Sequence, residues 1–285
     1  MARQSDRPQR PAAPPDPLAP FKDALREQFP SKDALLKEAR AVRQRRQQRA
    51  TAAGLVAIVA AMAALWVADP TWQTTRIATR IGEQATWTLR DGSRIQLNTG
   101  SVASVENHVR SQRVALESGE ALFTVSHGWR KFYVQAGDTT ILDIGTVFNV
   151  RRQNAPQDAS VHVAVLAGEV EVTTSSRPQP MRLRVGRGVE VNAHGAMIER
   201  EADAGTAVWA EGKLALDGAP LRQLLTDLQR YRTAPIRLRD DSVGGLRLSG
   251  EFRINRIEAL IDALPSMLPV TVTRLDDGTV NVDRR

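Results

Sequence analysis

The 285-residue chain has no cysteine, which excludes disulfide staples, thiol nucleophiles and thiolate metal sites. Its four histidines, His108, His127, His162 and His194, are scattered without metal-ligand spacing. No paired carboxylates and no Ser-His-Asp spacing stand out. No metal, no cofactor and no enzyme active site are therefore expected. Charge is absent from one long stretch: Ala50–Ala68, between Arg49 and Asp69, carries none. As a helix rising ~1.5 Å per residue this run covers roughly 28 Å, close to the ~30 Å of bilayer hydrocarbon.

The flanks of that run differ. Arg40, Arg43, Arg45, Arg46 and Arg49 precede it; Asp69 and Pro70 follow, with Trp66 and Trp72 as interfacial candidates. Arginine held on the cytoplasmic side and tryptophan at the headgroups give a single pass with a cytoplasmic N-terminus and an exported C-terminal bulk. A buried core helix is rarely this long without a polar residue. A signal peptide has a shorter apolar run nearer the start of the chain, although the Ala61–Ala64 end leaves cleavage open. Arg45–Arg46 is a weak twin-arginine signal, because Gln47 and Gln48 follow it.

Net charge falls on one side of the run. Of 39 basic and 32 acidic residues, 12 and 6 lie in Met1–Arg49, leaving 27 and 26 for the rest. The formal +7 thus belongs to the short N-terminal piece, and direct nucleic-acid binding is not expected. Residues 1–20, rich in Pro, Arg and Gln, cannot bury a core and read as a disordered tail. Residues 21–49 read as helical, with Phe21, Leu25 and Phe29 on one face, a stop at Pro30, and a second helix from Ser31 bearing Leu35, Leu36, Ala39 and Val42. So little apolar surface suits a segment that folds against a partner. A membrane-surface helix held by its arginines is the other reading.

Residues 69–79 read as a linker, and from 80 to 203 the period is two. Trp87 and Leu89, then Ile95 and Leu97, flank Arg90-Asp91-Gly92-Ser93, a strong hairpin signal. Short runs recur at Arg113–Leu116, Ala121–Val125, Phe132–Gln135, Thr140–Ile144, Val147–Arg151, Val161–Leu166, Val170–Thr173, Met181–Val185 and Val189–Asn192. This predicts an all-β domain, a sandwich or jelly-roll-like coil.

Residues 204–285 contain a repeat. Leu216, Leu221, Leu224, Leu225 and Leu228 are matched 36 positions later by Phe252, Ile257, Leu260, Ile261 and Leu264. Each unit reads strand, helix, strand: Lys213–Leu216, Leu221–Arg232, Ile236–Arg239, then Leu246–Ser249, Ile257–Met267, Val270–Arg274. A last strand is expected at Thr279–Val282. The prediction is a small α+β module of two βαβ units with helices on one sheet face and exposed strand edges.

Four ordered motifs resemble the FecR family of transmembrane anti-sigma factors and sigma regulators. They are Asp91-Gly92-Ser93-Arg94-Ile95-Gln96-Leu97-Asn98-Thr99-Gly100-Ser101, Arg113-Val114-Ala115-Leu116-Glu117-Ser118-Gly119-Glu120-Ala121-Leu122-Phe123-Thr124-Val125, Ile141-Leu142-Asp143-Ile144-Gly145-Thr146-Val147-Phe148-Asn149-Val150-Arg151 and Val163-Ala164-Val165-Leu166-Ala167-Gly168-Glu169-Val170-Glu171-Val172. The repeat at 204–285 resembles the short secretin/TonB-type N-terminal module that follows the FecR domain.

The resemblance implies a bacterial inner-membrane regulator of an extracytoplasmic-function sigma factor. The sigma factor would be held in the cytoplasm by candidates Phe21, Leu25, Phe29, Leu35, Leu36 and Val42. The C-terminal module, with Leu216 to Leu228 and Phe252 to Leu264, would receive the signalling domain of an outer-membrane TonB-dependent transporter for iron-siderophore or haem. Membrane proteases would carry the message. It also implies single-turnover self-cleavage at Gly145–Thr146 by an N→O acyl shift, against which stands a plain tight turn with an ordinary strand threonine. One departure is that family members usually have a longer cytoplasmic domain bearing a tryptophan, whereas 49 residues precede the span here and the first tryptophan is Trp66. The alternative function is a membrane-anchored periplasmic assembly protein docking to an envelope complex.

Overall fold

A computed structural model describes residues 21, 32–155, 158–202 and 205–285. The chain divides into two compact units, Met1–Val67 and Ala68–Arg285.

In the first unit, helix α1 (Lys32–Ala68) runs unbroken through the arginine cluster and the uncharged stretch. Alanine, leucine, arginine and glutamine dominate it, all good helix formers. It is the one helix among the described residues long and apolar enough to cross a membrane, with a mean hydropathy of 2.2 over its most apolar window. Leu55, Ile58 and Leu65 are all more than half exposed, so no protein core covers them. Such a surface fits a single-pass membrane protein.

The second unit opens with strands β1 (Thr71–Ala78), β2 (Ala85–Thr88), β3 (Arg94–Leu97), β4 (Val102–His108) and β5 (Ser111–Thr124). There follow β6 (Lys131–Ala136), β7 (Thr139–Asp143), β8 (Val147–Ala155), β9 (Asp158–Ala167), β10 (Glu169–Thr174), β11 (Met181–Arg184), β12 (Arg187–Asn192) and β13 (Met197–Glu201). They make two layers. One holds β1, β4, the first half of β5, β6, β7, β10 and β11. The other holds β2, β3, the second half of β5, β8, β9, β12 and β13.

Strand β5 passes from one layer to the other at Gly119 (φ 88°), where a Cβ would lie 2.2 Å from Ser101 Oγ. Only glycine fits that crossing. The alternating residues close the core between the layers. Phe123 stacks on Phe148 at 5.1 Å between centroids and meets Phe132 edge-on at 6.1 Å. These rings, with Ile95, Leu97, Leu116 and Ile141, are enclosed in the core.

Two expectations are corrected by the strand pairing. Residues 71–78, read as linker, form β1 and pair with β4 from Thr71↔His108 to Ala78↔Val102. The runs at 113–116 and 121–125 are one strand, because Gly119 bends β5 without ending it. The β2–β3 hairpin forms as expected, with Trp87 opposite Ile95 and Asp91 Oδ1 accepting from Ser93 N at 3.0 Å.

The rest is β14 (Lys213–Pro220), α2 (Leu221–Gln229), β15 (Ile236–Leu238), β16 (Arg247–Arg253), α3 (Ile257–Met267), β17 (Val270–Arg274) and β18 (Val280–Arg284). The strand–helix–strand order occurs twice, but neither unit closes a βαβ. The equivalent strands β14 and β16 pair with each other, antiparallel. The equivalent strands β15 and β17 instead flank β18, parallel and antiparallel. Each unit therefore splits its strands between a two-stranded and a three-stranded sheet, and the two interlock around a shared core. The 3.6-residue period places the buried helix stripe but says nothing about which strand pairs with which.

Candidate functional site

Polar residues from three of the four motifs converge where the module meets the β sandwich. In the second layer the end of β3, the β5 crossing and β8 are neighbours, with Leu97 opposite Ala121 and Leu122 opposite Asn149. That adjacency brings Asn98, Glu120 and Asn149 together. Asn98 Nδ2 donates to Glu120 Oε2 at 2.8 Å, and Asn149 Nδ2 donates to Glu120 Oε1 at 2.9 Å.

The module supplies the other half of the junction. Arg230, just beyond α2, donates from Nη2 to Glu120 Oε2 at 2.6 Å. Tyr231 OH donates to Asn98 Oδ1 at 3.0 Å, and Trp209 Nε1 donates to Asn149 Oδ1 at 3.2 Å. Backbone carbonyls complete it: Thr99 Oγ1 donates to Arg230 O, Gln84 Nε2 to Trp209 O, and Gln96 Nε2 to Ala210 O.

Glu120 is 4% exposed. Burial alone would raise its pKa, but the charges of Arg230 and Arg151 and the hydrogen bonds from Arg230 and Asn149 hold it below the ordinary glutamate value. Arg230 is likewise kept protonated by Glu120 against the cost of burial. Burial pushes Tyr231 up to about 12. Asp227 goes the other way from Glu120: desolvation raises it, and Arg151, reaching it at 3.4 Å, does not compensate. Beside this junction lies a cleft of about 990 Å³, lined by the whole of β14 and by Glu120, Arg151, His162 and Asp227. Desolvation also lowers the pKa of His162 there.

At Gly145–Thr146 the chain turns from β7 to β8. The Asp143 carboxylate accepts Gly145 N at 2.9 Å, Thr146 N at 2.9 Å and the Thr146 hydroxyl. Gly145 has φ 86°, and a Cβ there would meet His127 Nε2 at 2.3 Å. Thr146 is 2% exposed, and its carbonyl accepts Val125 N at 3.0 Å. The site is a tight turn with a buried threonine whose hydroxyl is held by a carboxylate.

The other residues singled out in the sequence separate. Phe21, Leu35, Leu36 and Val42 are exposed by half or more. Leu25 and Phe29 lie outside the described residues. Leu221, Leu224, Leu225, Leu228, Ile257, Leu260, Ile261 and Leu264 are the core of the module, with Leu216 and Phe252 packed against it. The eight core residues stabilise the module, and Leu216 and Phe252 are only partly buried. Neither Glu120 with Arg230 nor Asn149 with Trp209 is apparent as a contact pair in the sequence. The available signal is that Asn98, Glu120 and Asn149 are polar residues embedded in otherwise apolar strand motifs.

Residues 75–171, the segment holding all three, match the family model described as FecR protein. Two crystal structures, each of a candidate anti-sigma factor from Parabacteroides distasonis ATCC 8503, are similar to this chain at 26% identity, with TM-scores of 0.62 and 0.63. The likeness covers 75% and 74% of this chain and 100% and 99% of those chains. No curated protein matches the chain.

Proposed function

We propose that the protein is an anti-sigma regulator that spans the bacterial inner membrane once through α1, with its N-terminus in the cytoplasm. The observation that carries this is the likeness to the two candidate anti-sigma factors, which runs through the FecR domain and on into the module. The arginines upstream of the apolar run support the orientation. The cytoplasmic partner is an extracytoplasmic-function sigma factor, held by the exposed apolar residues Leu35, Leu36 and Val42. The periplasmic partner is the signalling domain of a TonB-dependent transporter serving iron-siderophore or haem uptake, and membrane proteases relay its arrival. Purification of the full chain in mild detergent should bring down a sigma factor, and Leu35→Asp with Leu36→Asp should release it. Absence of any sigma factor from the wild-type sample would overturn the reading.

Self-cleavage at Gly145–Thr146 is a second element of the proposal, favoured by the Asp143 carboxylate on the Thr146 hydroxyl. Thr146 Oγ attacks the Gly145 carbonyl carbon, and its proton passes through Asp143 to the departing Thr146 nitrogen. The C–N bond breaks as the ester forms. Water then hydrolyses the ester to a Gly145 carboxylate and a free Thr146 N-terminus. Mass spectrometry of the full chain should find a break after Gly145 that Thr146→Ala and Asp143→Asn abolish; an intact wild-type chain would refute it.

A further inference from the structure

The covalent link from α1 to the β unit is one peptide bond, Ala68–Asp69. Asp69 is fastened to the β4–β5 turn: Oδ1 accepts Arg110 N and Oδ2 accepts Ser111 Oγ, both at 2.6 Å, while its carbonyl bonds His108 Nδ1 at 2.7 Å. Strand pairing draws two more segments to this turn. Thr71 lies opposite His108, which places Trp72 here, and Ser111 lies opposite Lys131, which places Trp129 and Arg130 here.

The resulting rim has a composition unlike the rest of the unit. Trp129 is 70% exposed and Trp72 49% exposed, whereas Trp209 is buried and Trp87 packs against the core. Each exposed indole carries a guanidinium over its ring at 5.1 Å, Arg90 on Trp72 and Arg130 on Trp129. With Arg110 and Lys131 the rim holds four cations. Its acids are engaged: Asp69 by the turn, Glu106 by His108 at 3.4 Å, and Asp91 by Ser93.

We propose that this rim rests on the membrane surface, with Trp72 and Trp129 at headgroup depth and Arg90, Arg110, Arg130 and Lys131 on the phosphates of anionic phospholipid. The inference rests on the reading of α1 as a membrane span. If residues 50–68 cross the hydrocarbon, Asp69 is within about one residue, ~3.8 Å, of its edge, and whatever is latched to Asp69 lies at the headgroups. Indoles favour that layer because one end is apolar and the other polar, and arginine forks match phosphate oxygens. The module is held at the other end of β1 and β4, where Thr79 N bonds Ser101 O and Thr99 bonds Arg230.

Because the chain lacks cysteine, a single introduced one labels a single place. Gly128 and Gly245 suit this: a Cβ at Gly128 meets only Ser126 O at 4.0 Å, and at Gly245 nothing within 4 Å. The full chain, as Gly128→Cys or as Gly245→Cys, is fluorophore-labelled and reconstituted into nanodiscs of phosphatidylglycerol and phosphatidylcholine with a headgroup quencher. The label at 128 should be quenched several-fold more than that at 245. Arg130→Glu with Lys131→Glu, added to the Gly128→Cys chain, should bring its quenching down to the level at 245. Equal quenching at the two sites in inserted wild-type background would overturn this inference alone, as would quenching at 128 unaffected by the charge reversal. Failure of the chain to co-elute with the bilayer would overturn the span and this inference together.

Discussion

The two ends of the β sandwich are fastened by different physics. At the Asp69 end, one carboxylate satisfies a backbone N–H and a hydroxyl in a half-exposed turn, with Asp69 itself at φ 44°. At the module end, a buried Glu120 carboxylate pairs with the largely buried guanidinium of Arg230 and is braced by two asparagines. Losing an exposed hydrogen-bonded latch costs about 1 kcal/mol, whereas stripping one partner from a buried pair costs about 3–5 kcal/mol. The module is thus the more firmly bolted attachment, and its release needs both charges to find new partners at once.

The largest test of this contrast is Glu120→Gln. It leaves Arg230 charged, largely buried and without its partner, and should destabilise the β unit by about 3–5 kcal/mol in urea titration, exposing 205–212 to protease. Removing both charges with Glu120→Gln and Arg230→Met should restore a good part of that loss. If the single substitution costs no more than an exposed one, the buried pair is not what holds the module.

The pH dependence should carry the same signature. Glu120 has a folded pKa below its unfolded value near 4.5, so its contribution is full above that value and is lost as pH falls through the folded pKa. Asp227 has a folded pKa above its ordinary 3.8, so ionising it weakens the fold as pH rises through that range. Asp227→Asn should therefore stabilise the unit slightly at neutral pH, and Glu120→Gln should flatten the acid limb. The smallest effect belongs to the other end: Asp69→Ala should cost about 1 kcal/mol and leave the module's protease resistance unchanged.

The legibility of the fold in the sequence follows the same division. The β2–β3 hairpin is readable because Asp91-Gly92 demands that turn, and α2 and α3 because leucines recur at helical spacing. Strand β1 is not, since Thr71–Ala78 has no apolar alternation, with only Ile77 reaching the core, and is recruited by pairing with β4. Period alone also leaves the partition of the module's strands undetermined. Glu120 and Arg230 are 110 residues apart, and an isolated charge in a sequence reads as surface. Only folding shows that Asn98, Glu120 and Asn149 stand side by side with a guanidinium against them.

Transcript profiling puts the proposed control of a sigma factor by exposed apolar residues on α1 to the test. Cells expressing the full chain with Leu35→Asp, Leu36→Asp and Val42→Asp would be compared with wild type at equal protein level in the membrane. A coherent change in the regulon of one extracytoplasmic-function sigma factor is expected. An unchanged transcript profile at matched protein level would contradict that control.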